Sequence, residues 1–574
     1  MSGEPAAGPP WRAAATTLVP LVLGMAAAVA VTAWFHGRMP DDLDHTVLAG
    51  AFHRGHIWCV DHVHRMVLGE EPRTVLTDRA GFPGSAAARC LLLVPAVVTT
   101  PLRAVYGPLG AYNLLILATP AAAVLAAWAL ARRITDLSSA GAAAVGVVYA
   151  VSPFVLGSFA GGQVCKAQVW TIPACLWALT WAVRGPRRPL GVIAAAALGA
   201  ATAYTEPTFA LIVPLVAAPW ALLAVQRPLW RSALGAATGL GALAAGLWTA
   251  KLYYDTAGST GIELFEPANR LTSHGIPLPA PMAQPWPTLL GPRDLQLDPG
   301  APNHITYLGL PLVGAMLVGS LFRWKGRSFA WLAVAVGITF ALGELLVSDN
   351  AYVTTAAGQK YALPAFWLAA KGYPLARSVM YYRVIAVASL GVAVGAMGVT
   401  SRLRYGGLLA CALAGAAVWD SHRVLAPIWP AKSALVNEPL YSWLAADPTP
   451  GALVELPLVH NARTGAAMVL DSVFVDRPTT ALVRFAKRDQ PNVVAVNAWL
   501  SEAAALPPAE ASAAMFAHGV RYILSNPADN APEVDAVTQT FGRPLMIGGR
   551  FVWRMEALPA TGGAPGTAGS APAP

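Results

Sequence analysis

Apolar residues run in long blocks from residue 13 to residue 420, and polar residues collect in the gaps between them. A helix needs about 20 apolar residues to cross a bilayer. Blocks of that order lie at 13–35, 110–131, 138–157, 166–183, 190–205, 208–225, 232–252, 306–322, 328–347, 382–400 and 406–420. The pattern predicts a mainly α, polytopic membrane helical bundle with one span per block, eleven in all. The run 91–102 is different: it is short, holds Pro95 and Pro101, and is flanked by Arg89 and Arg103. It is expected to lie at the interface or re-enter without crossing.

The basic residues support that reading. With 91–102 not crossing, Arg132-Arg133, Arg184, Arg187 and Arg188, Arg227 and Arg231, Arg323, Lys325 and Arg327, and Arg402 and Arg404 all fall on one side. The positive-inside bias makes that side cytoplasmic, with the N-terminus inside and the C-terminus outside. The first block, preceded by Arg12, is long enough to be a retained anchor rather than a cleaved signal.

From about Pro427 the pattern changes. Residues 451–458 and 519–524 read as short strands, 508–518 as a helix and 544–555 as a closing hairpin. The expected organisation is a transmembrane domain over 1–424, an extracytoplasmic soluble α/β domain over 425–557, and a disordered tail of small residues and proline over 558–574.

Composition agrees. Of 574 residues, 56% are hydrophobic and only 12% charged, about half the charge of a typical soluble protein. The net charge of +9 is spread as short clusters between apolar blocks. That is an orientation signal, and it excludes a nucleic-acid partner. Five cysteines form no framework. Cys59 and Cys90 flank the middle of the first outer loop, and a bridge between them would need an oxidising compartment.

That loop, 36–109, carries the unexpected chemistry. It holds Asp41, Asp42, Asp44, Asp61 and Asp78, together with six of the 11 histidines. The histidine spacing matches no metal-site template, and neither metal nor cofactor is expected. Glu206, beside Pro207 at an outer turn, reads as a simple loop acid.

The order of motifs along the chain is familiar. After the acidic patch come Ile57-Trp58, Pro72, Thr77, Phe82-Pro83-Gly84, Gly110-Ala-Tyr-Asn113 and Arg132-Arg133-Ile-Thr135. A Gly-Gln stretch then precedes Trp170 and Pro173, Leu363-Pro364 leads to Arg383, and Pro439-Leu-Tyr-Ser-Trp-Leu444, Glu455-Leu-Pro457 and Gly519-Val-Arg-Tyr522 follow. The sequence resembles GT-C-fold bacterial membrane glycosyltransferase-like proteins, including the YfhO-like branch. The resemblance implies an enzyme that takes a sugar from a polyprenyl-phosphate donor at the outer face of the cytoplasmic membrane. An acid in the first outer loop would activate the acceptor. The chain departs from the pattern in one respect: Asp44 stands fourteen residues before Trp58, with a His- and Arg-rich insertion between.

An alcohol or amine acceptor becomes a competent nucleophile as a carboxylate takes its proton. Asp42 and Asp44, just beyond the first span, are the candidates, with Asp61 next. The leaving group is a lipid phosphate, whose charge cations at the outer surface stabilise. Arg383 is the candidate that the resemblance favours, followed by Arg377 and Lys166. Trp58, His62 and Gln163 are candidate substrate contacts. The expected partners are the polyprenyl-phosphate donor, membrane lipid, and an outer-face glycan, lipid or protein acceptor. One rival is a non-catalytic protein of the same architecture that handles a glycan or lipid. The other is a transporter, which would show more intramembrane charge.

Overall fold

The computed structural model describes residues 10–48, 53–72, 76–77, 79–80, 82–83, 86–87, 92–185, 187–226, 228–258, 307–343, 347–348, 351–352, 354–371, 381–458, 468, 471–480, 491–527 and 532–558. Arg377, Cys90, Asp78, the outer segment 259–306 and the tail from 559 lie outside the described residues. The chain divides into two compact units, Met1–Val75 with Arg89–Leu435, and Leu76–Ala88 with Val436–Pro574.

The first unit is helical. Helix α1 spans Pro10–His36, a 3-10 turn covers Met39–Asp41, strand β1 spans Thr46–Leu48, and α2 spans His53–Leu68. Next comes α3, Leu93–Ile134, whose 42 residues would measure about 63 Å if straight, twice a bilayer's hydrocarbon core. It is not straight: Gly107, at φ 64° and ψ −179°, breaks it just before Pro108. Few residues but glycine adopt that conformation. The break falls between the 91–102 run and the 110–131 block.

The block at 138–157 becomes α4 (Ser139–Ala150) and α5 (Pro153–Ala160), interrupted where Pro153 opens a new first turn. The short α6 (Val164–Ala167) precedes α7 (Thr171–Arg184), so Lys166 stands ahead of the long helix rather than within it. Then follow α8 (Arg188–Thr205), α9 (Pro207–Ala224) and α10 (Leu229–Gly258). Further helices cover Leu310–Gly319, Arg327–Ala341, Pro364–Ala370, Ile385–Gly398 and Gly406–Leu425.

Among the described residues, six helices are long and apolar enough to cross a membrane, and Leu310–Gly319 and Arg327–Ala341 are shorter apolar ones. Lipid supplies little hydrophobic drive between helices, so close backbone approach through small residues matters. A Cβ on Gly246 of α10 would lie 2.1 Å from the Ala196 carbonyl oxygen of α8, and one on Gly337 would lie 2.3 Å from the Ala388 nitrogen. Strand β1 pairs antiparallel with Ser433–Leu435, tying the stretch after α1 to the chain beyond the last helix of the unit.

The second unit centres on a four-stranded sheet. Strands Ala452–Glu455 and Val520–Ser525 run parallel, Arg550–Arg554 is antiparallel to the latter, and Leu545–Ile547 closes the edge. Gly548 and Gly549, both at positive φ, turn the expected hairpin. Val454, Leu456, Ile523 and Trp553 pack with Val496 and Met515 of helices Pro491–Ala503 and Pro508–Ala517. Residues 76–88 belong to this unit, although the rest of 36–109 does not. Leu76–Thr77 and Ala86–Ala87 form a small hairpin, and Ala80 bridges Thr479. Phe82 donates its N–H to the Thr479 carbonyl at 3.0 Å and packs on the core.

Candidate active site

The acidic stretch after α1 is a short turn pinned to the second limb of α3. Asn113 Nδ2 donates to the carbonyls of Leu43 at 2.7 Å and Thr46 at 2.9 Å. The Thr46 N–H donates to the Asp42 carbonyl at 3.1 Å. Asp42 accepts from His45 Nδ1 at 2.8 Å and is partly open to solvent. Asp44 is exposed, with its carboxylate against Gly110: a Cβ there would meet Oδ1 at 2.2 Å. The two carboxylates therefore face water from a fixed turn, the arrangement a base acting on an incoming acceptor requires.

Beside this turn, His53 at the start of α2 is fully buried. Its Nε2 donates to the Phe159 carbonyl at 2.7 Å, and its Nδ1 accepts from Tyr112 at 2.8 Å. Burial, with the nearby His36 adding to it, pushes its pKa down to about 3, so the ring is neutral. It joins α2, α3 and α5.

The rest of α2 forms a separate ion cluster. Asp61 has a side chain wholly out of solvent, with Arg65 Nε at 3.1 Å and Arg103 Nε at 2.9 Å. Arg103 also meets Glu70 at 3.1 Å, and His62 Nδ1 meets Glu71 at 2.6 Å. Trp58 stacks on His62 with centroids 5.3 Å apart, and both rings are buried. The expectation that Asp61 serves as a base does not fit this enclosure, because both its oxygens are held by arginines. Trp58 and His62 likewise present no surface to a substrate. The helix forms across Gly55, whose conformational cost is offset by burial of this whole face. Cys59 is a free, buried thiol.

The cations meet elsewhere in the same unit. Lys166 is 1% exposed and Glu206 2%, and Arg383 Nη1 lies 3.7 Å from Glu206 Oε1. Arg383 also donates to the Thr208 hydroxyl. Glu206 caps α9, its Oε1 accepting the Thr208 N–H at 3.0 Å. Burial alone would raise the Glu206 carboxyl, but Arg383 and hydrogen bonds from Cys165 and Thr208 hold it below its ordinary value. Burial and then Arg383 push Lys166 well down, while Cys165 and Glu206 oppose them. Gln163 is half-buried at the start of α6; its carbonyl accepts the Lys166 N–H at 2.9 Å.

Tyr112 links the two arrangements. It precedes Asn113, bonds His53, and lies within electrostatic range of Cys165, the neighbour of Lys166. Gln168 Nε2 donates to Thr119 of α3 at 2.9 Å, fastening the segment after Lys166 to the same helix. Lys166 and Arg383 thus act on each other electrostatically, and α3 carries both Asn113, which holds the Asp42–Asp44 turn, and Thr119, which anchors Gln168; Asp61, Trp58 and His62 form a group of their own. Sequence reading overlooked Asn113, Gly110, Thr208 and Glu206 as site builders. Glu206 is a buried helix cap 3.7 Å from Arg383 rather than a loop acid. Asn113 carried a usable signal, since a polar side chain inside an apolar helix must find partners.

No family model and no curated protein matches the chain. Among solved structures, the chain is similar to the archaeal oligosaccharyltransferase AglB from Archaeoglobus fulgidus, in complex with an inhibitory peptide and a dolichol-phosphate, at 11% identity and TM-score 0.46 over 92% of this chain and 71% of that one. It is also similar to the arabinofuranosyltransferase AftD from Mycobacteria, at 15% identity and TM-score 0.48 over 88% of this chain and 36% of that one. Similarity to ArnT from Cupriavidus metallidurans, bound to undecaprenyl phosphate, reaches TM-score 0.50 at 14% identity, over 93% of this chain and 97% of that one. That last likeness runs through nearly the whole of both chains, and this chain has the GT-C-like fold that its motif order led us to expect.

Proposed function

We propose that the protein is a membrane glycosyltransferase that moves a sugar from a polyprenyl-phosphate donor to a hydroxyl or amine of an outer-face glycan, lipid or protein acceptor. What supports this reading is that one helix, α3, fastens both an exposed carboxylate turn, through Asn113, and the segment after the buried Lys166, through Thr119. Asp42 or Asp44 accepts the acceptor's proton as its oxygen or nitrogen bonds to the anomeric carbon. The bond from that carbon to the phosphate oxygen breaks, and Arg383 and Lys166 stabilise the negative charge left on the lipid phosphate. The undecaprenyl phosphate bound to ArnT supports a carrier of this class.

Sidedness supports it too. Residues 76–88 fold with 436–558, and segments that fold together lie on one side of a bilayer. The first outer loop and the C-terminal unit then share the outer face of a bacterial cytoplasmic membrane.

The test is transfer of label from polyprenyl-phosphate sugars by purified protein. Wild type should pass label to an acceptor, and Asp42→Asn with Asp44→Asn should slow this by about 10²–10⁴. Transfer unchanged in that double variant would reject the base. Lipid binding without any turnover in wild type would favour a non-catalytic handler.

A further inference from the structure

The ends of α3, α7 and α9 and the starts of α8 and α10 meet in one corner of the first unit. Glu206 stands where α8 gives way to α9, and each of those helices has 18 residues. Arg188 and Ala224 at their other ends therefore lie about 27 Å from it along the helix axes. Arg184, closing α7, donates from Nε to the Ala224 carbonyl at 2.8 Å. A Cβ on Gly191 of α8 would meet the Ala182 nitrogen at 2.4 Å, and one on Gly235 of α10 the Ala182 carbonyl oxygen at 2.3 Å. A Cβ on Gly185 would lie 2.8 Å from Nη2 of Arg133, in the last turn of α3. Small residues let these backbones close up, and the room that Gly185 leaves is taken by the Arg133 guanidinium.

The corner is basic and almost without acids. It receives Arg132, Arg133, Arg184, Arg187, Arg188 and Arg231, whereas Asp136 and Glu206 are the only acids between residues 110 and 254. Glu206 is at the far end, and Asp136 pairs with Lys325 at 3.0 Å. Arginines at span ends commonly reach into water, as the exposed Arg132 and Arg187 do. Arg184 serves the carboxyl end of α9, with Nη2 also donating to the Leu223 carbonyl at 3.4 Å. Arg133 differs from all of these. Its Nη2 is shut off from solvent and donates to no acceptor among the described residues. A charged donor left so costs free energy until an acceptor reaches it, and a planar guanidinium matches the oxygens of a phosphate.

We propose that this corner binds the headgroup of an anionic phospholipid, with the phosphate on Arg133 and with Arg184, Arg187 and Arg188 beside it. Arg133 as a whole keeps partial exposure, so a small turn of its side chain brings the guanidinium to the headgroup. Apolar side chains at the same helix ends favour a lipid over a free phosphate: Leu222 is 74% exposed, Leu229 62% and Trp230 64%. Acyl chains lie along that surface while the charge meets the arginines. In the orientation proposed above this is the cytoplasmic leaflet, whose anionic lipids attract basic residues. None of these residues belongs to the candidate active site, so the lipid site stands whether or not the transfer reaction does.

The test is retention of phosphatidylglycerol by the purified full chain in detergent, read by native mass spectrometry with phosphatidylcholine as the neutral competitor. Wild type should keep phosphatidylglycerol preferentially. Arg133→Gln should weaken that retention about tenfold, as loss of one charged hydrogen-bond partner does, and Arg133→Lys should recover only part. Gly185→Ala, which puts a methyl group where the guanidinium lies, should act in the same direction. Arg402→Gln removes an exposed arginine of another basic cluster and should change nothing. Equal retention of the two lipids by wild type overturns the site. So do equal losses from Arg133→Gln and Arg402→Gln, which indicate diffuse surface charge.

A second measurement separates lipid binding from a purely structural arginine. In nanodiscs, replacing phosphatidylcholine by phosphatidylglycerol should raise the Tm of wild type, because a ligand of the folded state stabilises it. That rise should vanish in Arg133→Gln. A Tm lowered by Arg133→Gln equally in both lipids, with the rise intact, makes Arg133 a packing residue and overturns the proposal.

Discussion

Asn113 shows how a single side chain organises the candidate base. Its amide spans the Leu43 and Thr46 carbonyls, so Asn113→Ala should free the turn without touching the carboxylates. Transfer should fall about tenfold, a loss of about 1.4 kcal/mol in the transition state, with expression and melting little changed. Gly110→Ala should act at the same place, because its methyl group would occupy the space of the Asp44 carboxylate. Asp61 tests the opposite case. Asp61→Asn leaves Arg65 and Arg103 facing a neutral group in a buried site, and such a break costs about 3–5 kcal/mol. A lowered Tm alongside a preserved rate per folded molecule would place it in the scaffold. The sequence showed that the 36–109 loop was chemically dense, but not which acids were open. Asp42 stays partly open beside His45, whereas Asp61 is enclosed by Arg65 of its own helix and Arg103 of α3.

At the scale of elements, the helices were legible because a bilayer leaves a strong imprint: long apolar blocks, and basic residues at their ends. The boundaries were less so. The 166–183 block shifted because Lys166 is used by a tight polar turn, and the 138–157 block split at Pro153. In α3 the break at Gly107 sets the direction of the limb carrying Arg103, which reaches Asp61. Gly107→Ala would force a side chain into a backbone region reserved for glycine, at a cost of about 1–3 kcal/mol. We expect a lower Tm, and protease accessibility between residues 103 and 110 should rise. The strands of the second unit were also legible, since alternating apolar positions and a Gly-Gly turn are local signals. The hairpin at 76–88 was not: its partners lie hundreds of residues away and its strands are two residues long.

At the scale of the molecule, the second unit has its own titration chemistry. Glu455, at the carboxyl end of its strand, is fully buried, accepts from Thr479 at 3.0 Å, and lies 3.6 Å from Arg550 Nη2. Arg550 also reaches Asp471 at 3.3 Å, which accepts from Tyr441 at 2.7 Å. Burial, and then the Asp471 charge, push the Glu455 carboxyl well above its ordinary value of 4.5, against the pull of Arg550. A carboxyl raised on folding contributes stability that is complete below the unfolded value and lost as pH rises through the folded one. The opening free energy of this sheet should therefore fall as pH climbs above about 4.5, and Glu455→Gln should flatten that slope. Amide hydrogen exchange on strands Ala452–Glu455 and Val520–Ser525, corrected for intrinsic rates, checks both.

The same unit has a consequence for biosynthesis. Its 76–88 piece leaves the ribosome after a single apolar helix, while the sheet it packs on emerges only after the whole bundle has been made. Until then Phe82 has no core to enter, and the hairpin waits without its partner sheet. Chains stalled or truncated before residue 436 should therefore bind chaperones through that hairpin. Phe82→Ser should weaken the capture, whereas complete chains should escape it.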